Sequence, residues 1–188
     1  MKPIFTCCLL LLFGFTQAQT TAEQAKMIAA FNNDTIIKWM TIEQAEAAQK
    51  VNPKKVLVSV YATWCRWCRL EDSLTLKNAE IARYINANFY PVRFNAECRT
   101  TVTYKGVKYA FISDQNKWVN EFTNYCLNGK LSYPALAFFD EAGRLVNARN
   151  GYMDAYSLEP LLSYYGTNSY KQIGFKEYES DFEGKIPE

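Results

Sequence analysis

The spacing of apolar and polar residues predicts strands and helices that alternate along the chain. Residues 56–61 are apolar except at Ser59, which is typical of a central strand buried on both faces. A short strand is predicted over 35–40, and Thr41 is placed to cap a helix over 42–50. The later elements are predicted as helices over 65–76, 79–86, 115–127 and 155–165, and as strands over 89–94, 136–139 and 145–148.

An additional pair of short strands is predicted in the second half of the chain. Residues 101–104 and 107–111 are rich in β-branched and aromatic side chains and flank Lys105-Gly106, which is typical of a β-hairpin. The whole order is β-α-β-α-β, hairpin, α-β-β-α, which predicts an α/β fold. Alternating elements favour a parallel sheet, to which the closing hairpin would add antiparallel edge strands.

The N-terminal segment has the features of a secretory signal peptide. Lys2 precedes an apolar stretch over 4–15, and residues 16–18 form a small-residue cleavage site. The stretch is shorter than the roughly 20 residues that span a bilayer, so we predict cleavage and no stable membrane insertion afterwards. An uncleaved anchor or a buried helix is the alternative. The predicted parts are a signal peptide over 1–18, an extension with a polar helical pattern over 19–34, a domain over 35–165 with an insertion at about 98–114, and a tail over 166–188.

Composition excludes several classes of function. The 188 residues include no histidine, which excludes a histidine general base and any metal site with an imidazole ligand. The formal net charge of +2 gives no indication of a nucleic-acid partner. No motif indicates a bound cofactor or metal.

The cysteines carry the candidate chemistry. Export would leave four of them in a compartment where disulfides persist, since Cys7 and Cys8 belong to the signal peptide. Cys65 and Cys68 form a Cys-x-x-Cys pair directly after the apolar strand. Unpaired N–H groups at the start of a helix stabilise a thiolate, and the second cysteine lies on the same helical face. The spacing therefore predicts a site of thiol–disulfide exchange.

Four residues beside this pair have predicted roles. Arg66 and Arg69 are expected to favour the Cys65 thiolate electrostatically. Trp64 and Trp67 would shield the site and offer an apolar face to an unfolded or extended substrate. The alternative for both indoles is ordinary packing in the core.

The element order resembles the thioredoxin superfamily over about residues 35–165. The residues that carry this resemblance are Trp64-Cys65-x-x-Cys68 after a buried strand and Tyr133-Pro134 before the late hairpin. The segment from Tyr61 to Glu71, with residues 94–97, is similar to secreted thioredoxin-like proteins that carry a Trp-Cys-x-Trp-Cys motif. The resemblance implies a thioredoxin-like three-layer α/β/α sandwich with a mixed central sheet and an inserted β-hairpin.

The resemblance also implies roles for single residues. Cys65 matches the family's attacking cysteine and Cys68 its resolving cysteine. Pro134 matches the cis-proline that faces the active site, where it would present the backbone of Tyr133 to a substrate strand. Arg93 falls where thioredoxins often have a strand lysine near the active site.

One position departs from the family's pattern. Ser59 stands six residues before the first cysteine, where thioredoxins usually bury an acid thought to help deprotonate the resolving cysteine. Glu71 lies one helical turn past Cys68, and Glu97 ends the next strand. Either acid could substitute, and the sequence does not choose between them.

The remaining cysteines leave alternatives open. Cys98 and Cys126 could form a second disulfide, remain two buried thiols, or relay electrons from the first pair. They could also complete a zinc site with Cys65 and Cys68, although structural zinc sites usually have two close pairs. The Cys65–Cys68 bond could finally be an inert staple, although so short a loop stabilises little.

These features favour an exported thiol–disulfide oxidoreductase that acts on disulfide-containing or dithiol proteins. A reductase or isomerase is favoured over a strong oxidase, and reduction would need a membrane-linked electron donor. Arg66-Trp67 is neither the Gly-Pro of reducing thioredoxins nor the Pro-His of strong oxidants, and this dipeptide influences the potential. The alternative is a thioredoxin-fold binding or chaperone-like module whose redox pair is vestigial.

Overall fold

The computed structural model of the chain describes residues 36–114 and 117–187. The predicted signal peptide, the extension over 19–34 and Thr35 lie outside the described residues. The helices are α1 (Ile42–Val51), α2 (Arg66–Leu70), α3 (Ala79–Asn88), α4 (Glu121–Cys126), α5 (Ala155–Gly166) and α6 (Phe175–Ser180), with a π-helical turn at Glu71–Thr75 and a 3-10 turn at Ser169–Lys171. The strands are β1 (Lys55–Tyr61), β2 (Phe89–Asn95), β3 (Val102–Tyr104), β4 (Val107–Tyr109), β5 (Phe111–Asp114), β6 (Lys117–Asn120), β7 (Ala135–Phe139) and β8 (Leu145–Asn150). None of the described helices has the length and apolar character needed to cross a membrane.

The central sheet has four strands in the order β2-β1-β7-β8. Strand β1 pairs in parallel with β2 and antiparallel with β7, and β8 pairs antiparallel with β7. The mixed sheet is confirmed, but only β8 of the closing hairpin lies at an edge. All five residues of β7 are buried, because helices cover both faces of this strand and neighbours flank it on both sides.

Alternate residues of β1 belong to the two layers of the core. Val56, Val58 and Val60 lie in one apolar cluster, with residues of α1 and α4. Leu57 points to the opposite cluster, which contains residues of α3 and α5. This alternation produces the predicted three-layer α/β/α arrangement.

The strand expected over 35–40 is reduced to a single bridge. The Met40 N–H donates to the carbonyl of Pro91 at 2.8 Å, and Met40 pairs in parallel with Val92. Pro91 has no N–H, so it cannot return a ladder hydrogen bond to this edge. The pairing with β2 therefore does not extend from Met40 over the predicted strand.

The helix predicted over 115–127 is wrong in its first half. Residues 117–120 form β6, which pairs with β5, so the insertion contains two hairpins and extends to Asn120. Trp118 and Val119 favour a strand. The Asn120 side chain then accepts a hydrogen bond from the Phe122 N–H and caps α4. This cap is the sequence signal that places the helix start later than predicted.

The tail packs against α5. The hydroxyl of Tyr164 donates to the carbonyl of Ile173 at 2.7 Å, and that of Tyr178 donates to Ser163 Oγ at 2.8 Å. Tyr170, Phe175 and Tyr178 extend one core cluster. Of the two predicted states of the tail, docked or partly disordered, the described residues show the docked one.

Candidate functional site

Cys65 and Cys68 form a disulfide just beyond the C-terminal end of β1. Cys65 is the N-cap residue of α2, and the N–H of Cys68 donates to its sulfur at 3.0 Å. The two cysteines are 4% and 2% exposed and pack against Ala62, Tyr61 and Tyr133. The predicted pairing is confirmed. A backbone donor aimed at the Cys65 sulfur is the kind of contact that stabilises a thiolate.

Two exposed tryptophans flank the disulfide. Trp64 and Trp67 are 64% and 58% exposed, so neither indole is a core residue. Trp64 packs edge-on against Tyr133 with ring centroids 6.1 Å apart, and its Nε1 donates to the Glu97 carboxylate at 2.8 Å. Trp67 packs against Tyr152 at 5.6 Å. Each indole is therefore held by an aromatic partner and still presents most of its surface to solvent.

The loop after β8 joins separate parts of the site. The peptide bond before Pro134 is cis, as the resemblance implies, and the Pro134 carbonyl accepts from the Gly151 N–H at 2.8 Å. Further along, the Met153 carbonyl accepts from Thr75 Oγ1 at 2.6 Å, and the Met153 N–H donates to Glu71 Oε1 at 3.4 Å. This loop therefore connects the proline to the π-helical turn that follows α2.

Glu71 is the buried acid of the site. It is 1% exposed, and its Oε2 has no hydrogen-bond partner among the described residues. Burial raises the pKa of the Glu71 carboxyl to about 7, although a backbone hydrogen bond and the charge of Arg93 act in the opposite direction. Its backbone N–H donates to the Cys68 carbonyl, one helical turn earlier. Glu97, the other candidate, is only half-buried and binds an indole N–H.

Arg93 lies between two polar partners beside β1. Its guanidinium donates to Ser59 Oγ at 2.6 Å and to the Asp72 carboxylate at 2.5 Å, and it lies 4.2 Å from the centre of the Tyr61 ring. Ser59 and Arg93 are also paired in the register of β1 and β2. The position where thioredoxins usually bury an acid therefore holds a serine bonded to an arginine. Stabilisation of the Cys65 thiolate by the positive charge of Arg93 stays a prediction. The negative charge of Asp72, which is paired with Arg93, would weaken that effect.

Arg66 and Arg69 are exposed beside the disulfide. Arg69 donates to the carbonyl of Thr63 at 3.2 Å. Arg66 makes no hydrogen bond or ion pair with any described residue. An open groove along α2 is lined by Arg66, Trp67, Arg69, Leu70 and Ser73.

Cys98 and Cys126 are free thiols, so the possible second disulfide is not formed. Cys126 is completely buried in the aromatic cluster around Phe122, where burial raises the pKa of its thiol well above the usual range. Cys98 is half-buried on the loop after β2, with its sulfur 3.7 Å from the carbonyl of Thr100. The two thiols have different surroundings because α4 places Cys126 inside the core.

The zinc alternative is also not supported by this geometry. Cys65 and Cys68 are bonded to each other. Within residues 36–114 and 117–187, no three side chains of His, Cys, Asp or Glu are grouped as metal ligands would be.

Sequence reasoning missed four residues that support the site. Asp72 binds Arg93, Tyr152 packs on Trp67, and Thr75 and Met153 fix the π-helical turn. Tyr152 and Met153 lie on the loop that follows β8. Their contacts are long-range, so no spacing rule along the chain identifies them.

The mixed sheet, the cis-proline and the Cys-x-x-Cys disulfide at the end of β1 define a protein of the thioredoxin fold. The thioredoxin-like domain family matches residues 42–166, and the chain belongs to this family. Among proteins of curated function, none matches this chain.

Solved structures show the same fold at low sequence identity. A thioredoxin-fold protein from Helicobacter pylori is 18% identical with a TM-score of 0.54, over 78% of this chain and 91% of that one. A candidate disulphide isomerase from Bacteroides thetaiotaomicron is 22% identical with a TM-score of 0.50, over 75% and 98%. A thioredoxin from Thermus thermophilus is 17% identical with a TM-score of 0.50, over 68% and 85%. At these identities the likeness concerns the fold alone.

Proposed function

We propose that this protein is an exported thiol–disulfide oxidoreductase in which Cys65 attacks and Cys68 resolves. The observation that carries the proposal is a Cys-x-x-Cys disulfide at the N-terminus of α2, between two exposed indoles. A disulfide with only a structural role would not need exposed tryptophans on both sides of it. Export is supported by the apolar N-terminal stretch with its small-residue cleavage site.

The chemistry begins from the reduced pair. The Cys65 thiolate attacks one sulfur of a substrate disulfide, the substrate bond breaks, and the other substrate sulfur leaves as a thiolate. Cys68 then loses its proton and attacks Cys65. This closes the Cys65–Cys68 bond and releases the second substrate sulfur. The substrate has gained the two electrons that the Cys65–Cys68 dithiol has lost, and the reverse sequence oxidises a dithiol.

Glu71 is the proposed proton acceptor for Cys68. It lies on the same helical face one turn later, and its Oε2 is not occupied by another described donor. With a pKa of about 7, the carboxyl can hold or release a proton near neutral pH. Arg93 would influence this proton through its charge, since its attraction lowers the pKa of Glu71.

The proposed substrates are proteins with disulfides or dithiols, bound along Trp64, Trp67, Tyr133 and Pro134. The Tyr133 ring packs against the Trp64 ring, so Trp64 and the residue before the cis-proline belong to one surface, to which we propose that the substrate binds. Reductase or isomerase activity is favoured over strong oxidase activity. Continuous reduction outside the cytoplasm would require an electron donor linked to the membrane.

The decisive experiment is trapping of the mixed disulfide. We expect a Cys68→Ser variant to accumulate a covalent adduct with a disulfide-containing protein, visible on a non-reducing gel and removed by dithiothreitol. A Cys65→Ser variant, which keeps Cys68, is the matched control and should form far less adduct. Equal adduct from both variants, or none from either, would contradict the assigned roles and favour the binding or chaperone-like module.

A second measurement concerns direction. The reduction potential of the Cys65–Cys68 pair should be determined in glutathione and dithiothreitol buffers, with Cys98 and Cys126 replaced in a parallel sample. A value near roughly −270 mV would support a reductase, whereas a value near roughly −120 mV would support a disulfide donor.

The proposed export is tested by the N-terminus of the secreted protein. Exported protein should begin at about Gln19, and recovery with Met1 intact would contradict cleavage.

A further inference from the structure

The surface beside the disulfide combines unpaired positive charge with exposed apolar rings. Among the described residues, Arg66 makes no ion pair and Arg69 is engaged only by the backbone carbonyl of Thr63. Both guanidinium groups lie on the open groove along α2, together with the Trp67 indole and the Leu70 side chain. The residues that line this groove include no acid.

The acids of the site are either buried or bound to other groups. Glu71 is buried beneath the helix, Asp72 binds Arg93, and Glu97 accepts a hydrogen bond from the Trp64 indole. None of these contacts neutralises Arg66 or Arg69. The groove next to the attacked bond is therefore locally cationic, although the whole chain carries a formal net charge of only +2.

We propose that this groove binds carboxylate side chains of the substrate polypeptide, so that disulfides with acidic residues beside the attacked cysteine react preferentially. The inference rests on the proposed function and adds a substrate class to it. A guanidinium is a planar donor fork that matches a carboxylate, and Arg69 keeps donors free beyond the one bonded to Thr63. The indole and Leu70 supply an apolar floor for the aliphatic part of a glutamate side chain.

A pair of synthetic peptides tests the inference. Both contain one disulfide, one has glutamates on either side of a cysteine, and its twin has glutamines. The reduced protein is mixed with each peptide, and the rate of peptide reduction is followed in a single turnover. We expect the acidic peptide to react about fivefold faster at low salt, which corresponds to one favourable surface charge pair. The preference should shrink as salt is added.

Variants separate binding of carboxylates from tuning of the thiolate. Arg66→Gln and Arg69→Gln each remove one charge, and any effect on the Cys65 thiolate changes both peptide rates by the same factor. Only loss of a carboxylate contact lowers the ratio of the two rates, and we expect each variant to lower it. Lys176→Gln is the matched control, because it removes one exposed positive charge on the tail helix α6 and should leave the ratio unchanged.

The outcomes distinguish the two proposals. Equal rates for both peptides, or a ratio that survives the Arg66 and Arg69 substitutions, would overturn the inference and leave the oxidoreductase intact. A ratio that falls equally in Lys176→Gln would show a non-specific effect of net charge and would also overturn it. Failure to reduce either peptide would overturn the proposed function, and this inference with it.

Discussion

Cys65 and Cys126 are both buried, yet their surroundings differ in every respect that affects a thiol. Cys65 is 4% exposed at the start of a helix, with a backbone N–H aimed at its sulfur, and Arg66 and Arg69 follow it in the sequence. Cys126 is fully buried at the end of α4 among Phe122 and other aromatic rings. Burial raises the pKa of the Cys126 thiol, so it remains protonated at neutral pH.

The comparison shows that fractional burial alone does not decide whether a thiol is reactive. What matters is whether donors and positive charges compensate the ionised form. Cys65 has a backbone donor at its sulfur, and compensation by the charges of Arg66 and Arg69 stays a prediction. Cys126 has apolar contacts that stabilise the folded chain and leave its sulfur without access to a substrate.

Single substitutions of these two cysteines should give the largest contrast. Cys65→Ser should reduce disulfide-exchange activity to background, because serine supplies no comparable nucleophile or bond to sulfur. Cys126→Ala should leave the activity of the folded protein close to that of the wild type. Reduction of a protein disulfide in the presence of dithiothreitol measures both. Comparable losses in the two variants would show that the two thiols do not differ in reactivity.

The next effect concerns the buried acid beside the reactive pair. The pKa of Glu71 is about 7 in the folded chain and lower when unfolded, so the folded state binds the extra proton. Stability contributed by the protonated carboxyl is complete below the unfolded pKa and is lost as pH rises through about 7. Glu71→Gln removes this loss, so its unfolding free energy at alkaline pH should exceed that of the wild type by at most about 3 kcal/mol.

Urea unfolding across this pH range checks the prediction. The charged groups that act on Glu71 are Arg93 and Asp72, and both are kept in the variant. Glu97→Gln is the control, since it neutralises the half-buried acid and should not reproduce the pH-dependent gain. The same Glu71→Gln protein should resolve mixed disulfides more slowly above pH ~7, because its amide cannot accept the Cys68 proton. A gain that is independent of pH would contradict the assignment of the proton to Glu71.

A smaller effect is expected when a polar atom is placed in the aromatic core. Cys126→Ser replaces a weakly polar thiol with a hydroxyl that has no hydrogen-bond partner provided for it in the aromatic core. This substitution should lower the unfolding free energy by about 2 kcal/mol. Cys126→Ala is the comparison that separates loss of volume from burial of the hydroxyl. If serine proved no worse than alanine, the site would already offer a hydrogen-bond partner.

The smallest effect is expected at the indole beside the disulfide. Glu97→Gln weakens a charge-assisted hydrogen bond to Trp64 Nε1 at the surface, so stability should change by less than about 1 kcal/mol. Trp64 fluorescence should nevertheless shift, because its charged partner is lost. An unchanged spectrum would indicate that Tyr133 alone orients this ring.

The sequence was most informative where a signal is local. The apolar run of β1, the Thr41 cap of α1 and the Cys-x-x-Cys spacing each depend on residues close along the chain, and the structure contains all three. The failures share the opposite property. The helix expected over 115–127 competes with pairing between β5 and β6, and the strand expected over 35–40 is limited by a proline on β2.

The sequence by itself determined the fold family, the position of the disulfide and the two acids that could stand in for the missing one at Ser59. Only the tertiary structure distinguishes their surroundings, because Glu71 is buried under the loop after β8 and Glu97 lies near the surface beside Trp64. It also decided that Cys98 and Cys126 stay apart as thiols. The physical reason is that burial and pairing arise from contacts between distant segments, and such contacts leave no fixed spacing along the chain.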